Sequence, residues 1–199
     1  KARQVVNWES GRFRQGTFAD VEAVGEEVAH DIATLLNGEL LPVQGKLQGE
    51  SMVIPLRFAP FDNPRSLYES VLAGAKTPFS SLWAAYHLQQ LEAGHGQPAT
   101  IDCPVQMIRL GDSLTLVAYG GELCSLHADH VKAAIEGAVF TMGYSNGMIG
   151  YLPTDQMLEE GGYEPFASIS GSTELHSPLA HGIDQAVVRA AELLATRTA

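Results

Sequence analysis

The sequence predicts an α+β fold with α/β-like character, in which a mixed β-sheet is flanked by helices. Apolar residues recur at helical spacing near both ends of the chain, and a strand–turn–strand pattern occupies residues 101–119. The chain has 199 residues, of which 45% are hydrophobic and 18% charged. This length and composition predict a single domain, residues 1–199, with a filled core.

The first elements are a polar segment and a helix. Residues 1–16 show no sustained period and are predicted to form an arm or loop, or to pair with chain material upstream. Thr17 is a suitable N-cap, and Asp20 stands at the third helical position, as in a capping box. A helix is therefore predicted over residues 18–37, and Gly38 follows as its C-terminal stop.

The middle of the chain alternates strands and helices. Residues 40–58 have an extended pattern in which Pro55 predicts an edge strand or a bulge. Helices are predicted from Pro64 to about Ala73 and over residues 78–94. Later elements are a hairpin over 101–110 and 113–119, a helix over 123–137, a strand over 139–142, a helix over 153–160, a strand or structured loop over 166–172, and a helix over 184–197.

Charge and cysteine content exclude several classes of function. The net charge is −11, which argues against nucleic acids and anionic membrane surfaces as partners. Cys103 and Cys124 form no CxxC motif, so a disulfide scaffold is excluded. No apolar run is long enough for a transmembrane helix. The sequence leaves localisation open between the cytoplasm and secretion.

Two glycine-rich stretches carry the candidate site. Residues 143–163 combine several glycines with three tyrosines, and the predicted strand before Glu122 ends at two glycines. We expect Glu122, Tyr151 and Tyr163 to meet in one site that holds a divalent metal. Alternatively, Glu122 complements a helix dipole, and the tyrosines serve core packing and turns.

A helix after Glu122 offers other chemistry. His127 and His130 are three residues apart, a spacing that is compatible with a metal pair or with a half-buried helical pair. Cys124 lies at the start of this helix and is either a nucleophile with His127 as its base or a small buried cysteine.

Three motifs together resemble the neutral/alkaline non-lysosomal ceramidase family. They are Gly-Gly-Glu122, the stretch from Gly143 through Tyr151 to Thr154, and Gly-Gly-Tyr163. The resemblance covers most of the chain. It implies that the chain is the C-terminal half of a larger zinc hydrolase catalytic domain.

The resemblance also implies a reaction and roles for individual residues. Zinc would be held by two histidines together with Glu122 and Tyr151, while Tyr163 stabilises the transition state and Asn146 contacts substrate. The reaction would be hydrolysis of an N-acyl amide such as ceramide to an amine and a fatty acid, a step of sphingolipid and lipid metabolism.

A partner is implied as well. The family's two zinc histidines and its serine lie in an N-terminal half, so we expect that half of the same enzyme, or another chain, to complete the site. The alternative is a non-catalytic module that shares the fold and binds a partner chain.

Overall fold

The structure is a computed structural model. It describes residues 6–7, 12–13, 16–60, 62–75 and 77–198. The chain divides into two compact units, Lys1–Pro42 and Val43–Ala199. The organisation of the whole chain as one domain stays a prediction.

The first unit contains a two-stranded antiparallel ribbon and one long helix. Strands β1 (Val6–Asn7) and β2 (Arg12–Phe13) form the ribbon, and the rest of the predicted arm before Gly16 lies outside the described residues. Helix α1 (Phe18–Leu36) begins as predicted. The Thr17 hydroxyl accepts the Asp20 backbone N–H, while the Asp20 carboxylate accepts the Thr17 N–H at 2.7 Å. This reciprocal capping box fixes the helix start.

Helix α1 carries its apolar residues at helical spacing without burying them. None of its residues is buried, and the Phe18 side chain is 91% exposed. Capping and spacing therefore explain why the segment is helical, while burial of its apolar side contributes nothing within the described structure.

The described part of the second unit contains six strands. They are β3 (Leu47–Arg57), β4 (Thr100–Leu110), β5 (Leu114–Tyr119), β6 (Glu122–Leu123), β7 (Ala138–Met142) and β8 (Tyr151–Leu152). Four of them form one mixed sheet in the order β3-β4-β5-β7, and β6 pairs with β8.

Side-chain caps begin three of the helices of the second unit. The described helices are α2 (Pro64–Gly74), α3 (Pro78–Glu92), α4 (Ser125–Ala134), α5 (Asp155–Glu160), α6 (Ile183–Arg197) and a short 3₁₀ helix (Ala167–Gly171). The side chains of Asn63, Thr77 and Thr154 each accept a backbone N–H in the first turn of α2, α3 and α5.

The mixed sheet confirms the predicted α+β class. Strand β3 runs antiparallel to β4, and β4 forms the predicted hairpin with β5. Helix α4 then leads the chain to β7, which lies parallel to β5. Pro55 lies in β3, which is an edge strand as predicted, so its missing N–H interrupts no central ladder.

One face of this sheet forms the core with α4 and α6. The buried residues include Val105 and Met107 of β4, Val117 of β5, and Val187 and Leu194 of α6. The core fixes β5, and thereby the position at which the chain leaves the sheet for β6.

A second cluster joins α2 and α3. Tyr68 and Trp83 are buried against each other with ring centroids 5.2 Å apart. The Trp83 indole N–H donates to the Leu175 carbonyl at 2.7 Å, and the Tyr68 hydroxyl donates to the His176 carbonyl at 2.9 Å. These bonds tie both helices to the segment before α6.

Several boundaries differ from the sequence-based predictions. The predicted helix over residues 123–137 begins only at Ser125, because Glu122 and Leu123 pair with β8. The segment predicted as a strand or loop over 166–172 contains the 3₁₀ helix. Among the described residues, no helix has the length and apolar character that crossing a membrane requires.

Candidate functional site

The short parallel pair β6–β8 brings Glu122 and Tyr151 side by side. Glu122 is the register partner of Tyr151, and Leu123 is the partner of Leu152. The Glu122 backbone N–H donates to the Gly150 carbonyl at 2.8 Å. Residues in register on neighbouring strands project their side chains to the same side. The structure therefore brings together the two residues that the sequence predicts as metal ligands.

The glycines around this pair are required by close approach of the backbone. A Cβ atom on Gly121 would lie 2.9 Å from the Gly150 oxygen and 2.9 Å from Leu152 Cγ. A Cβ atom on Gly143 would lie 2.9 Å from the Gly121 oxygen. Since real Cβ atoms do not approach other atoms so closely, β6, β8 and the chain after β7 can meet only through glycine.

The Glu122 carboxylate acts on two neighbouring tyrosines. A hydrogen bond to Glu122 is the largest cause that raises the pKa of Tyr151 to about 12, with desolvation and the carboxylate charge as further causes. The same bond is the largest cause that raises the pKa of Tyr144. A carboxylate beside a phenol disfavours the phenolate, so both phenols stay protonated at neutral pH.

Tyr163 lies at the same place. Its ring centroid is 5.8 Å from that of Tyr151, with the rings nearly perpendicular. The Tyr163 side chain is 60% exposed, so its hydroxyl is accessible from solvent. The three predicted residues Glu122, Tyr151 and Tyr163 thus meet in one place, and Tyr144 joins them there.

Asn146 points to a different neighbour. It adopts a left-handed backbone conformation with φ of 61°, which asparagine tolerates better than most residues. Its side-chain amide donates to Gln106 Oε1 of β4 at 3.2 Å. This bond attaches the glycine-rich loop to the sheet, and the substrate contact expected for Asn146 stays a prediction.

A cleft of about 390 Å³ lies beside the pair. It is lined by Glu122, Tyr151, Cys124 and the acidic side chains of Glu160 and Glu164, among others. Its carboxylates give the cleft a negative character, which favours cations over anions.

Cys124 is poorly suited to act as the nucleophile. Desolvation, followed by the charges of Glu164 and Glu122, raises the pKa of its thiol to about 11. The thiolate, which is the reactive form, is therefore scarce at neutral pH. The predicted base His127 bonds instead to a backbone carbonyl, with its Nε2 atom 3.1 Å from the Pro153 oxygen.

A second cluster could hold a metal ion. Among the described residues, the only group of three or more His, Cys, Asp and Glu side chains close enough to share an ion is His127, His130 and Asp184, whose ligand atoms lie within 4.8 Å of one another. His127 is fully buried, and its Nδ1 atom lies 3.5 Å from Asp184 Oδ1. Burial is the largest cause that lowers the pKa of His127.

Only part of this cluster could be predicted from the sequence. The spacing of His127 and His130 indicated the pair, but Asp184 stands on α6, far along the chain. Packing of α6 beside α4 is what places the carboxylate there. An acidic residue in the first turn of a helix is common, so no local signal distinguished Asp184.

Comparisons with known proteins identify no family. No protein-family model matches the chain, and no curated protein matches it. The resemblance to the ceramidase family therefore stays a prediction.

Proposed function

We propose that this chain contributes part of the active site of a zinc-dependent amide hydrolase that resembles the neutral ceramidases. The observation that carries the proposal is the β6–β8 pairing, which places Glu122 directly beside Tyr151. The substrate class is an N-acyl amide such as ceramide, which would be cleaved to an amine and a fatty acid.

The donor set fits half of a cation site. Ligand oxygens about 2.0–2.2 Å from one zinc ion lie roughly 3.3–3.6 Å apart. The register pairing of Glu122 with Tyr151, and the effect of the carboxylate on the pKa of the Tyr151 phenol, support a position in which both oxygens share one ion.

Each residue of the chain has a definite part in this proposal. When bound, zinc supplies Lewis-acid polarisation of the amide carbonyl and lowers the pKa of water. Glu122 supplies negative charge that holds the cation, and Tyr151 supplies a second oxygen. The exposed hydroxyl of Tyr163 donates a hydrogen bond to the substrate oxygen that gains charge in the transition state.

The site needs further ligands from another polypeptide segment. A zinc site with catalytic activity has three protein ligands or more, and this pair provides two. We propose that two histidines and a serine come from the N-terminal half of the same enzyme or from another chain. Helix α1 supports the presence of such a partner, since its exposed apolar residues offer surface for it to cover.

Hydrolysis assays on the natural gene product that contains this chain test the proposal. Zinc-dependent release of fatty acid from ceramide or a simpler N-acyl amide is expected. Glu122→Gln should abolish it, and Tyr163→Phe should lower kcat by about 10²-fold or more. The matched control Tyr86→Phe removes a similarly accessible hydroxyl from α3 and should change nothing.

Two results would contradict the proposal. One is hydrolysis that survives in the Glu122→Gln variant. The other is a purified natural protein that binds a partner chain but releases no fatty acid from any N-acyl amide in the presence of zinc. The second result would favour the non-catalytic binding module.

A further inference from the structure

The buried ring of His127 has one nitrogen satisfied and the other not. Its Nε2 atom lies 3.1 Å from the Pro153 carbonyl oxygen, which can only accept a hydrogen bond. Nε2 must therefore carry the proton in the neutral ring, which leaves a lone pair on Nδ1. That Nδ1 atom is buried and has no hydrogen-bond partner.

The unsatisfied nitrogen faces a carboxylate. Nδ1 of His127 lies 3.5 Å from Asp184 Oδ1. In the neutral ring, two lone-pair atoms then face each other, an arrangement that a proton on Nδ1 or a bound metal cation would stabilise. His130 completes the group, because all three ligand atoms lie within 4.8 Å of one another.

The distances suit a tetrahedral transition-metal ion. Ligand atoms about 2.1 Å from a tetrahedral zinc ion are separated by about 3.4 Å. The His127–Asp184 separation of 3.5 Å already has this value. His130 is half-buried, and its ligand atom, within 4.8 Å of the others, has to move closer by at most about 1.4 Å, which a side-chain rotation supplies.

The surroundings of the ligands are also ordered as a metal site requires. The Pro153 carbonyl orients the His127 ring through Nε2, and Asp184 Oδ1 accepts the Asp155 backbone N–H at 3.2 Å. Asp155 Oδ1 in turn accepts the N–H groups of Gly182 and Ile183 at 2.9 and 3.1 Å. Such outer bonds fix the direction of metal ligands in proteins.

We propose that His127, His130 and Asp184 form a metal site that binds a divalent ion of the zinc type through two imidazole nitrogens and one carboxylate oxygen. Two histidines and one carboxylate are a ligand set that zinc and neighbouring transition metals accept, whereas calcium and magnesium prefer oxygen alone. This site shares no residue with Glu122 and Tyr151, and it does not rest on the proposed hydrolase function.

The bound ion would tie three elements together. His127 and His130 belong to α4, Asp184 belongs to α6, and the Asp184 carboxylate also caps α5. Metal binding should therefore stabilise the junction of these helices and raise the melting temperature of the chain, because a ligand that binds only the folded state stabilises that state.

The test measures Zn²⁺ and Co²⁺ binding to the full chain by calorimetry, together with the melting temperature. The wild-type chain should bind one ion at this site, and His130→Ala and Asp184→Asn should each weaken that binding by at least about 10-fold. Both variants avoid removing the buried His127 ring, and the asparagine oxygen keeps the bond to the Asp155 N–H. His95→Ala, which removes an exposed imidazole, is the matched control and should bind as the wild type does.

Glu122→Gln separates this site from the proposed active site. The variant should keep the ion at His127, His130 and Asp184, and nitrogen NMR should show metal on Nδ1 of His127 and a proton on Nε2. The inference is overturned if the wild-type chain binds neither ion, if His130→Ala and Asp184→Asn bind as tightly as the wild type, or if only Glu122→Gln abolishes binding.

Discussion

Replacing Glu122 by glutamine should change how the neighbouring tyrosines titrate. In the wild-type chain, the hydrogen bond to Glu122 is the main cause of the raised pKa values of Tyr151 and Tyr144. Glutamine keeps an oxygen that can accept a hydrogen bond but removes the negative charge. The phenolates of both tyrosines should then form at lower pH.

The size of the effect follows from the structure for Tyr151. Its pKa is raised from 10.0 to about 12, and the largest cause is hydrogen bonding to Glu122, followed by desolvation. Desolvation persists in the variant, so the pKa should fall by about one pH unit rather than return fully to 10.0. Tyr144 should shift in the same direction.

An NMR titration of ring-labelled tyrosines into alkaline solution measures this change. The chain has six tyrosines, so individual rings can be followed. Tyr68 and Tyr119 have pKa values raised mainly by burial and serve as internal references that should not move. Glu160→Gln is the matched control, because Glu160 lines the same cleft and its carboxylate bonds to Gln156 instead.

One result would refute this reasoning. If Tyr151 titrates at the same pH in Glu122→Gln and in the wild type, the carboxylate does not contact the phenol. An equal fall in Glu160→Gln would also refute it, since the effect would then come from the general charge of the cleft.

Three further predictions concern stability. Gly121→Ala should lower the free energy of unfolding by about 1–3 kcal/mol in urea denaturation, because a Cβ atom at this position has no room. Gly74→Ala, whose Cβ would have no atom within 4 Å, should not lower it, and equal effects of the two substitutions would contradict the close-approach argument. Burial lowers the pKa of His87 from 6.5 to about 4, so the contribution of the neutral ring to the free energy of unfolding is complete above pH 6.5 and is lost as the pH falls towards 4. A His87→Gln chain whose free energy of unfolding falls as steeply over this pH range as that of the wild type would contradict this. Trp83→Phe should lower the free energy of unfolding by about 1–3 kcal/mol, because the buried Leu175 carbonyl loses its hydrogen-bond donor. An unchanged midpoint of urea denaturation would contradict this prediction.

Local signals in the sequence predicted most elements. The capping residue Thr17 and the helical spacing after it located α1, and the strand–turn–strand pattern over residues 101–119 located the hairpin of β4 and β5. These features depend on neighbours within a few residues. Sequence patterns report them well, since hydrogen bonding and turn geometry are local.

Features that depend on packing between distant parts of the chain were harder to predict from the sequence. Strands β6 and β8 have two residues each, too few for a period, so the parallel pair itself was not predicted even though Glu122 and Tyr151 were expected to meet. The approach of Asp184 to His127 likewise depends on how α6 packs against α4. The exposure of the apolar residues of α1 was also invisible, because periodicity shows which side is apolar and not what covers it.

The most direct test of the account asks whether Glu122 and Tyr151 share a cation. Co²⁺ is added to the His130→Ala chain, in which the second metal site is disabled, and paramagnetic broadening of the tyrosine rings is recorded by NMR. This measurement detects weak as well as tight binding, so it does not require the completing histidines. We predict that Co²⁺ broadens the ring signals of Tyr151 and Tyr163 but not those of Tyr86. This broadening should be lost when Glu122→Gln is added to the His130→Ala chain. Broadening that spares Tyr151, or that persists unchanged without the Glu122 carboxylate, would contradict the account.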